Sequence, residues 1–382
     1  MTFLHKKSAL LASIFALSCG VGTQLVQQPV MAEQVNNSIS EAENQTLIVV
    51  DPVMGNDNAQ VGSPFKTISK ALSIAKPGMT VRLKSGNYSS ASGETFPLVV
   101  PSGVTLMGSD SSQGQETVIV GGSNFASSWW GRQNATILAK GSSSIKGLTV
   151  SNPEVRGTGI WVESSSATIT NCLLTNNLRD GIFVAGKSSP NIYSNKFINN
   201  SANGVTVSNH SAGVIANNHF ENTGFGISVS EDAAPMIRDN RIQSNVDGIV
   251  ISHRAKPEIL SNFITNNDRD GVVIISQAAP MLGSSSKPGR NSIKGNGRHA
   301  INNASQNTFV SNSGNDIQES VIAENDVEPP ANLPVLTSEI EGVENAKTLD
   351  KPSLADSLSG AKSVSIDGKK YISVEDMLRL MK

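Results

Sequence analysis

The sequence predicts an all-β fold: a right-handed, single-stranded parallel β-helix of about nine or ten coils, with a capping helix at its N-terminal end. Three observations predict it. A strand-opening glycine recurs at intervals of 22, 23, 22, 22 and 23 residues. Several other positions keep the same step. The chain has 33 glycines and only 4% aromatic residues, so it is poor in the large side chains that fill a conventional globular core.

Each repeat contains a strand of the form Gly-aliphatic-x-aliphatic. Side chains alternate along a strand and parallel strands lie about 4.8 Å apart, so the two aliphatic residues of successive repeats form two internal stacks. The alternation of Ile and Val favours strands over the helical leg of a leucine-rich repeat, and propeller blades need longer repeats. The strand-opening glycines are Gly159, Gly181, Gly204, Gly226, Gly248 and Gly271.

Polar residues recur at the same step. One asparagine per repeat predicts an internal ladder at a bend, with each amide bonding its neighbours above and below. Cys172 holds the first position of this row, which favours a buried small residue over a nucleophile. The row continues as Asn195, Asn218, Asn240 and Asn262. A second row, interrupted by Thr223, contains Asn177, Asn200, Asn245 and Asn267.

The ends of a stacked coil need covers, and the flanking sequences supply candidates. SPFKTISKALSIAKPG (63–78) predicts an amphipathic helix with Ser63 as its N-cap and Pro64 at the first helical position. The resulting domains are a cap domain over 47–125, the repeats over 126–310, a flexible linker over 311–360, and a hairpin followed by a short helix over 361–382.

The N-terminal sequence predicts export. Residues 1–32 combine basic residues, a short apolar run and a small-residue cleavage site, so we expect a signal peptide cleaved after Ala32 and a tail over 33–46. Lipidation at Cys19 is the alternative. The removed segment holds two lysines and no acidic residue, so the net charge changes from −2 to −4. This balance does not indicate a nucleic-acid or membrane-surface partner.

Two parts of the chain resemble known groups. VDPVMGNDNAQVGSPFKTISKALSIAKPGMTVRLKSGNYS and the residues after it, to about 125, resemble the bacterial domain of unknown function that opens many exported, often cyanobacterial, right-handed β-helix proteins. Residues 145–310 resemble the generic repeat of the pectate-lyase-like superfamily. The resemblance implies the fold and a function in cleaving, isomerising or binding polysaccharides, although fold does not determine function.

The resemblance also implies where superfamily lyases hold their Ca²⁺-binding acids, on the outer face of one sheet. The corresponding outward positions of this chain contain no acidic residue, so no catalytic residue is carried over. These positions are Trp161, Phe183, Thr206, Ser228, Val250 and Val273.

Asp247 and Asp270 are the candidates for acid–base chemistry. They occupy the same turn position on neighbouring coils, next to Asp268 and Arg269. Two carboxylates on adjacent coils are able to share a proton, as in glycoside hydrolysis, or to hold Ca²⁺ together with Asp268. The alternative is an Asp-Gly turn in which each aspartate bonds its own backbone.

Trp161 and Phe183 are the candidates for binding. They point outward on adjacent coils and predict an aromatic platform edged by Glu163, Arg179 and Asp180. Aromatic faces stack on the apolar faces of sugar rings, and nearby charges orient hydroxyls or uronates. The alternative is that the segment 109–146, which contains two tryptophans, folds back and buries both rings.

These observations favour an exported, non-catalytic protein of the cell envelope or exterior that binds a polysaccharide along its outer face. The alternatives are a polysaccharide lyase, glycoside hydrolase or epimerase that uses Asp247 and Asp270, and a structural or adhesive spacer. We expect a monomer that needs no cofactor, with Ca²⁺ as a possible ligand, and no transmembrane segment.

Overall fold

The computed structural model describes residues 46–60, 62–109, 112–305, 312–318, 333–334, 363–366 and 369–372. The predicted signal peptide lies outside the described residues, as do the predicted tail up to residue 45, most of the predicted linker and the predicted C-terminal helix.

The described chain winds through three parallel sheets that form a parallel β-helix. The first sheet contains Leu47–Val50, Thr80–Leu83, Thr105–Met107, Ser144–Lys146, Thr168–Thr170, Asn191–Tyr193, Val214–Ala216, Met236–Arg238 and Glu258–Leu260. The second contains Gly86–Ser89, Thr117–Val120, Thr149–Ser151, Leu173–Thr175, Lys196–Ile198, His219–Glu221, Arg241–Gln243, Phe263–Thr265, Ser292–Lys294 and Asp316–Ile317.

The third sheet carries the Gly-aliphatic-x-aliphatic repeats. It contains Leu98–Val100, Gly131–Ala139, Gly157–Glu163, Asp180–Ala185, Asn203–Val207, Phe225–Val229, Asp247–Ile251, Val272–Ser276 and Ile301–Ser305. A further strand, Ser123–Ser127, pairs antiparallel with Gly131–Ala139. Sheets of this size confirm the predicted nine or ten coils. Asp316–Ile317 pairs parallel with Ser292–Lys294, so the coil extends beyond the boundary predicted at residue 310.

The internal stacks lie where the repeat places them. Ile160 pairs with Ile182, and the same register continues to Ile301. The last pairing, of Val272 with Ile301, spans more residues of sequence than the others. The side chains of both aliphatic rows are at most 2% exposed in these coils. Burial of these aliphatic side chains supplies the apolar core that a protein poor in aromatic residues requires.

The N-terminal helix spans Ile68–Ile74, which is shorter than predicted. Thr67, not Ser63, is the N-cap, and its side chain accepts a hydrogen bond from Lys70 N at 3.1 Å. The later start has a physical cause, because Phe65 forms a bridge with Val50 and therefore keeps extended backbone. The carboxylate of Glu94, which follows a 3-10 turn at Ser90–Ser92, accepts from Ile68 N and Ser69 N.

Residues near the C-terminus form the predicted hairpin. Ser363–Ile366 pairs antiparallel with Lys369–Ile372, and Leu333–Pro334 pairs with the latter strand. The predicted turn at Asp367-Gly368 lies outside the described residues.

The first asparagine row forms the predicted internal ladder. Asn218 shows the arrangement: its Oδ1 accepts from Asn195 N at 2.9 Å and Asn195 Nδ2 at 3.1 Å. Its own Nδ2 donates to Ile192 O at 2.9 Å and to Asn240 Oδ1 at 3.1 Å. The pattern continues through Asn262 to Asn291 and Asn315. The side-chain amides therefore pair backbone groups that the tight turn leaves without a strand partner.

The second row also forms a ladder, from Asn177 to Asn200 and from Thr223 through Asn245 and Asn267 to Asn296. Thr223 keeps its place because its hydroxyl donates to Asn245 Oδ1 at 2.8 Å. In both ladders the residue before the ladder position is left-handed, as at Ser194, Asn217 and Asn222, with φ of 58°, 55° and 53°. Asparagine and serine are tolerated there because their short polar side chains bond locally.

Replacing a central ladder residue should weaken the whole coil. We expect Asn218→Ala to destabilise the protein by about 3 kcal/mol, because it leaves buried donors and acceptors on both neighbouring coils without partners. Asn191→Ala is the matched control, since Asn191 is exposed on the first sheet; its effect should stay within about 0.5 kcal/mol. Urea unfolding followed by circular dichroism measures both, and equal midpoints for the two variants would contradict the assignment.

Candidate functional site

The outer face of the third sheet holds the residues predicted to bind. Trp161 and Phe183 do stack on adjacent coils, with ring centroids 4.3 Å apart and planes 2° from parallel. They are nevertheless buried, with exposures of 1% and 0%. Phe125 meets Trp161 edge-on at 5.4 Å and Trp130 meets Phe183 at 5.3 Å. The open platform is therefore wrong, and the alternative, that the segment 109–146 covers both rings, is confirmed.

The covering hairpin, residues 123–139, is held to the coil by polar contacts. Trp130 Nε1 donates to Asn209 Oδ1 at 3.1 Å. Glu163 accepts from Trp161 Nε1 at 2.8 Å and from Ser128 N at 2.7 Å. Burial alone raises the pKa of Glu163, but these hydrogen bonds outweigh it and lower the pKa, which keeps the carboxylate ionised. Glu163 therefore fastens the hairpin instead of edging an open site.

Arg179 and Asp180 belong to the same buried joint. Arg179 Nη1 donates to Gln133 Oε1 of the hairpin at 2.7 Å, and its guanidinium lies 4.7 Å from the centre of the Phe183 ring. Its Nε lies 3.0 Å from Asp180 Oδ2. Burial raises the pKa of Asp180, and the Arg179 charge opposes that rise. Both side chains hold the joint together, with exposures of 8% and 0%.

One aromatic side chain of the hairpin remains exposed. Trp129 is 44% exposed and lies against the turn that follows the third sheet. A Cβ at Gly186 would lie 2.7 Å from the indole Nε1, so the contact requires glycine there. The ring of His210 is 6.3 Å from that of Trp129. Ser127 Oγ accepts from Trp129 N at 3.2 Å, which fixes the backbone that carries the ring.

Charged side chains continue from Trp129 along the coil. In this turn, the backbone N of the residue after each left-handed position donates to the carbonyl of the left-handed residue on the preceding coil, as His210 N does to Gly186 O. We call this surface the turn strip; it consists of Trp129, Lys187, His210, Asp232 and Arg254. Lys187, His210 and Arg254 are exposed, and Asp232 is half-buried.

Asp232 of the turn strip contacts neighbours on both sides along the coil axis. The Arg254 guanidinium donates to both oxygens of Asp232, at 2.8 and 2.7 Å. This contact lowers the pKa of Asp232. His210 Nε2 lies 3.7 Å from Asp232 Oδ2. The strip thus presents an indole face, hydrogen-bond donors and an ionised carboxylate at the regular spacing of the coils.

Asp247 and Asp270 lie on neighbouring coils, as predicted, but their carboxylates bond other groups of the coil. Asp247 Oδ1 accepts from Asp270 N at 3.0 Å, and both Asp247 oxygens contact the Arg269 guanidinium. Each carboxylate therefore holds the next coil, in place of the predicted bond to its own backbone. Burial raises the pKa of Asp247, and the Arg269 charge acts against that rise. Asp247 and Asp270 are only 1% and 2% exposed.

Asp270 instead supports a histidine that the sequence did not single out. Its Oδ1 accepts from His299 N at 3.1 Å and lies 2.9 Å from His299 Nδ1. Its Oδ2 accepts from Asn302 Nδ2 at 2.9 Å. The side chain of His299 is 33% exposed.

No group of three or more His, Cys, Asp or Glu side chains is placed to hold a metal ion in the described part of the chain. Over the same residues, no helix is long and apolar enough to cross a membrane.

Residues 53–321 match a family model described as a protein of unknown function, DUF1565. The chain belongs to this family. The comparison with curated proteins gave no match.

Solved parallel β-helix structures are similar to this DUF1565 protein at low sequence identity. A pectate lyase is 15% identical, with 70% of this chain and 79% of the lyase covered at a TM-score of 0.46. A polygalacturonase from Erwinia carotovora is 16% identical, with 72% and 95% covered at a TM-score of 0.40. An alginate lyase from a Paenibacillus species is 13% identical, with 63% and 95% covered at a TM-score of 0.38.

The free energy of unfolding should distinguish the buried Trp161 from the exposed Trp129. Trp161→Ala removes a fully buried ring and should destabilise the protein by about 3–5 kcal/mol. Trp129→Ala, at an exposed position, should cost about 1 kcal/mol or less. Thermal unfolding of both variants beside the wild type measures the difference. A Trp161→Ala protein as stable as the wild type would show that the hairpin does not cover this ring.

Proposed function

We propose that the protein is an exported polysaccharide-binding protein and that the turn strip is its binding surface. The observation that carries the proposal is Trp129, an indole that is 44% exposed and held in place next to charged side chains. An exposed tryptophan with a fixed backbone offers a flat apolar face at low cost in conformational entropy. Sugar rings present a complementary apolar face, with hydroxyls around its edge.

The charges beside Trp129 suit hydroxyl-rich ligands. Asp232 accepts hydrogen bonds, and Lys187, His210 and Arg254 donate them. Asp232 and Arg254 already hold each other in place, so little side-chain ordering remains for a ligand to complete. Because these side chains repeat with the coils, they suit an extended polymer better than a compact ligand.

Export is part of the same proposal. It rests on the N-terminal sequence, in which residues 1–32 have the features of a signal peptide. A polysaccharide-binding role outside the cytoplasm is consistent with a chain whose stability comes from stacked coils.

Retention on immobilised polysaccharides tests the proposal. The protein is applied to a panel of neutral and acidic polysaccharides. We expect at least one to retain the wild type and Trp129→Ala to bind about tenfold more weakly, which corresponds to about 1.4 kcal/mol.

Tyr193→Ala is the matched control, because Tyr193 is 41% exposed but lies on the first sheet. It should bind like the wild type. Two results would overturn the proposal: no polysaccharide retains the wild type, or Trp129→Ala is retained as well as Tyr193→Ala.

A further inference from the structure

The proposed binding surface combines two separate parts of the chain. Trp129 belongs to the covering hairpin, whereas the other residues of the turn strip belong to turns of the coil. The two parts meet where the Trp129 ring lies next to Gly186 and 6.3 Å from the ring of His210. The surface is therefore complete only while the hairpin is docked on the coil.

The tip of the hairpin, residues 123–133, has no strand pairing with the coil in the described part of the chain. Ser123–Ser127 pairs with Gly131–Ala139, and the pairing of that second strand with the coil begins at Asn134. An isolated two-stranded hairpin is only marginally stable in water. The tip therefore depends on side-chain contacts with the coil for its order.

The apolar contacts of the tip lie outside the main core. Phe125 and Trp130 pack with Trp161 and Phe183 in a small apolar cluster that is distinct from the cluster inside the coil. Peripheral elements of this kind open locally at a lower free energy than the whole protein unfolds. The tip thus has the docked state described above and an open state of higher free energy.

Asn209 joins the tip to the turn strip. It has left-handed backbone, with φ of 59°, and is 8% exposed. Its Oδ1 accepts from Trp130 Nε1 at 3.1 Å and from Gly186 N at 3.0 Å. The carbonyl of Gly186 in turn accepts from His210 N at 3.0 Å. One side-chain oxygen therefore fixes the tip that carries Trp129 against the turn that precedes His210.

We infer that docking of the hairpin tip controls the binding surface, and that Asn209 is the positioning residue that couples the two. The inference rests on the proposed function and adds the regulation of the same site. A polysaccharide that contacts both parts binds the docked state more tightly than the open state, so it shifts the equilibrium toward docking. In the absence of ligand, the apparent affinity depends on the fraction of molecules that are docked.

Hydrogen exchange of the full chain, followed by mass spectrometry, measures docking without a ligand, because an open tip loses its strand pairing. In the wild type we expect the amides of residues 123–133 to exchange faster than those of the coil at 214–229. Trp130→Phe removes the donor to Asn209 and leaves the bond from Gly186 N in place. It should raise tip exchange about tenfold, the effect of losing one buried hydrogen bond.

Variants of Asn209 distinguish positioning from general damage to the coil. Asn209→Ala should raise tip exchange at least as much as Trp130→Phe, and Asn209→Asp should restore the wild-type rate because it keeps the acceptor. Asn217→Ala is the matched control, since Asn217 also has left-handed backbone, with φ of 55°, but is exposed between the first and second sheets. It should leave tip exchange unchanged. Wild-type tip exchange in both Trp130→Phe and Asn209→Ala would overturn the coupling through Asn209.

A polysaccharide that retains the wild type tests the link to binding. At about ten times its Kd it should slow tip exchange about tenfold, since it binds the docked state and not the open one. The amides of Ser123–Ser127, on the strand that does not carry Trp129, are the ones to follow, because they report docking without direct cover by the ligand. Retention without slower tip exchange would overturn the inference and leave the binding proposal standing. If no polysaccharide retains the wild type, the proposed function is overturned, and the exchange of the variants still shows whether Asn209 holds the tip.

Discussion

The hydrogen bond from one side-chain amide to the amide of the next coil is the interaction on which this structure depends. A coil of short strands must turn sharply three times, and each turn leaves backbone groups that no strand partner reaches. The asparagine ladders pair these groups at two of the turns, in the same geometry on successive coils from Cys172 onward. Because each turn repeats the one before it, side chains at equivalent positions fall into straight rows on the outer surface.

The rows determine what the surface is able to do. At one edge of the third sheet, aspartates replace the asparagines as acceptors for the backbone of the next coil. Asp247 accepts from Asp270 N, and Asp270 accepts from His299 N. These carboxylates are therefore structural, because each holds the backbone of the next coil. The covering hairpin also changes which side chains the surface exposes. It buries Trp161 and Phe183 and leaves Trp129 exposed.

Much of the fold could be predicted because its contacts are local to the repeat. The period, the aliphatic stacks and the first asparagine ladder all follow from residues that recur at one step, as Ile182, Val205 and Ile227 do. The second ladder was not predicted, since Thr223 interrupts the asparagine row and only the structure shows that a hydroxyl replaces the amide. The helix start was wrong because the bridge between Phe65 and Val50 overrides the capping signal at Ser63.

The residues of the candidate functional site were harder to predict for a different reason. Trp129 and His210 are in contact although they lie 81 positions apart in the sequence. The hairpin that carries Trp129 has no repeat of its own. Nothing in the periodicity indicates that the segment folds onto the coil. His299 follows the longer final step of the register, so it falls outside the series in which Asp247 and Asp270 were found.

Hydroxyl-radical footprinting of the protein with and without a retained polysaccharide tests most directly whether the turn strip is the working surface. Tyr193 and Phe263, 41% and 59% exposed on the first and second sheets, serve as internal references. We expect the polysaccharide to lower oxidation of Trp129 and His210 and to leave both references unchanged. Protection of Tyr193 or Phe263 with Trp129 still oxidised would contradict this expectation and place the ligand on a different face.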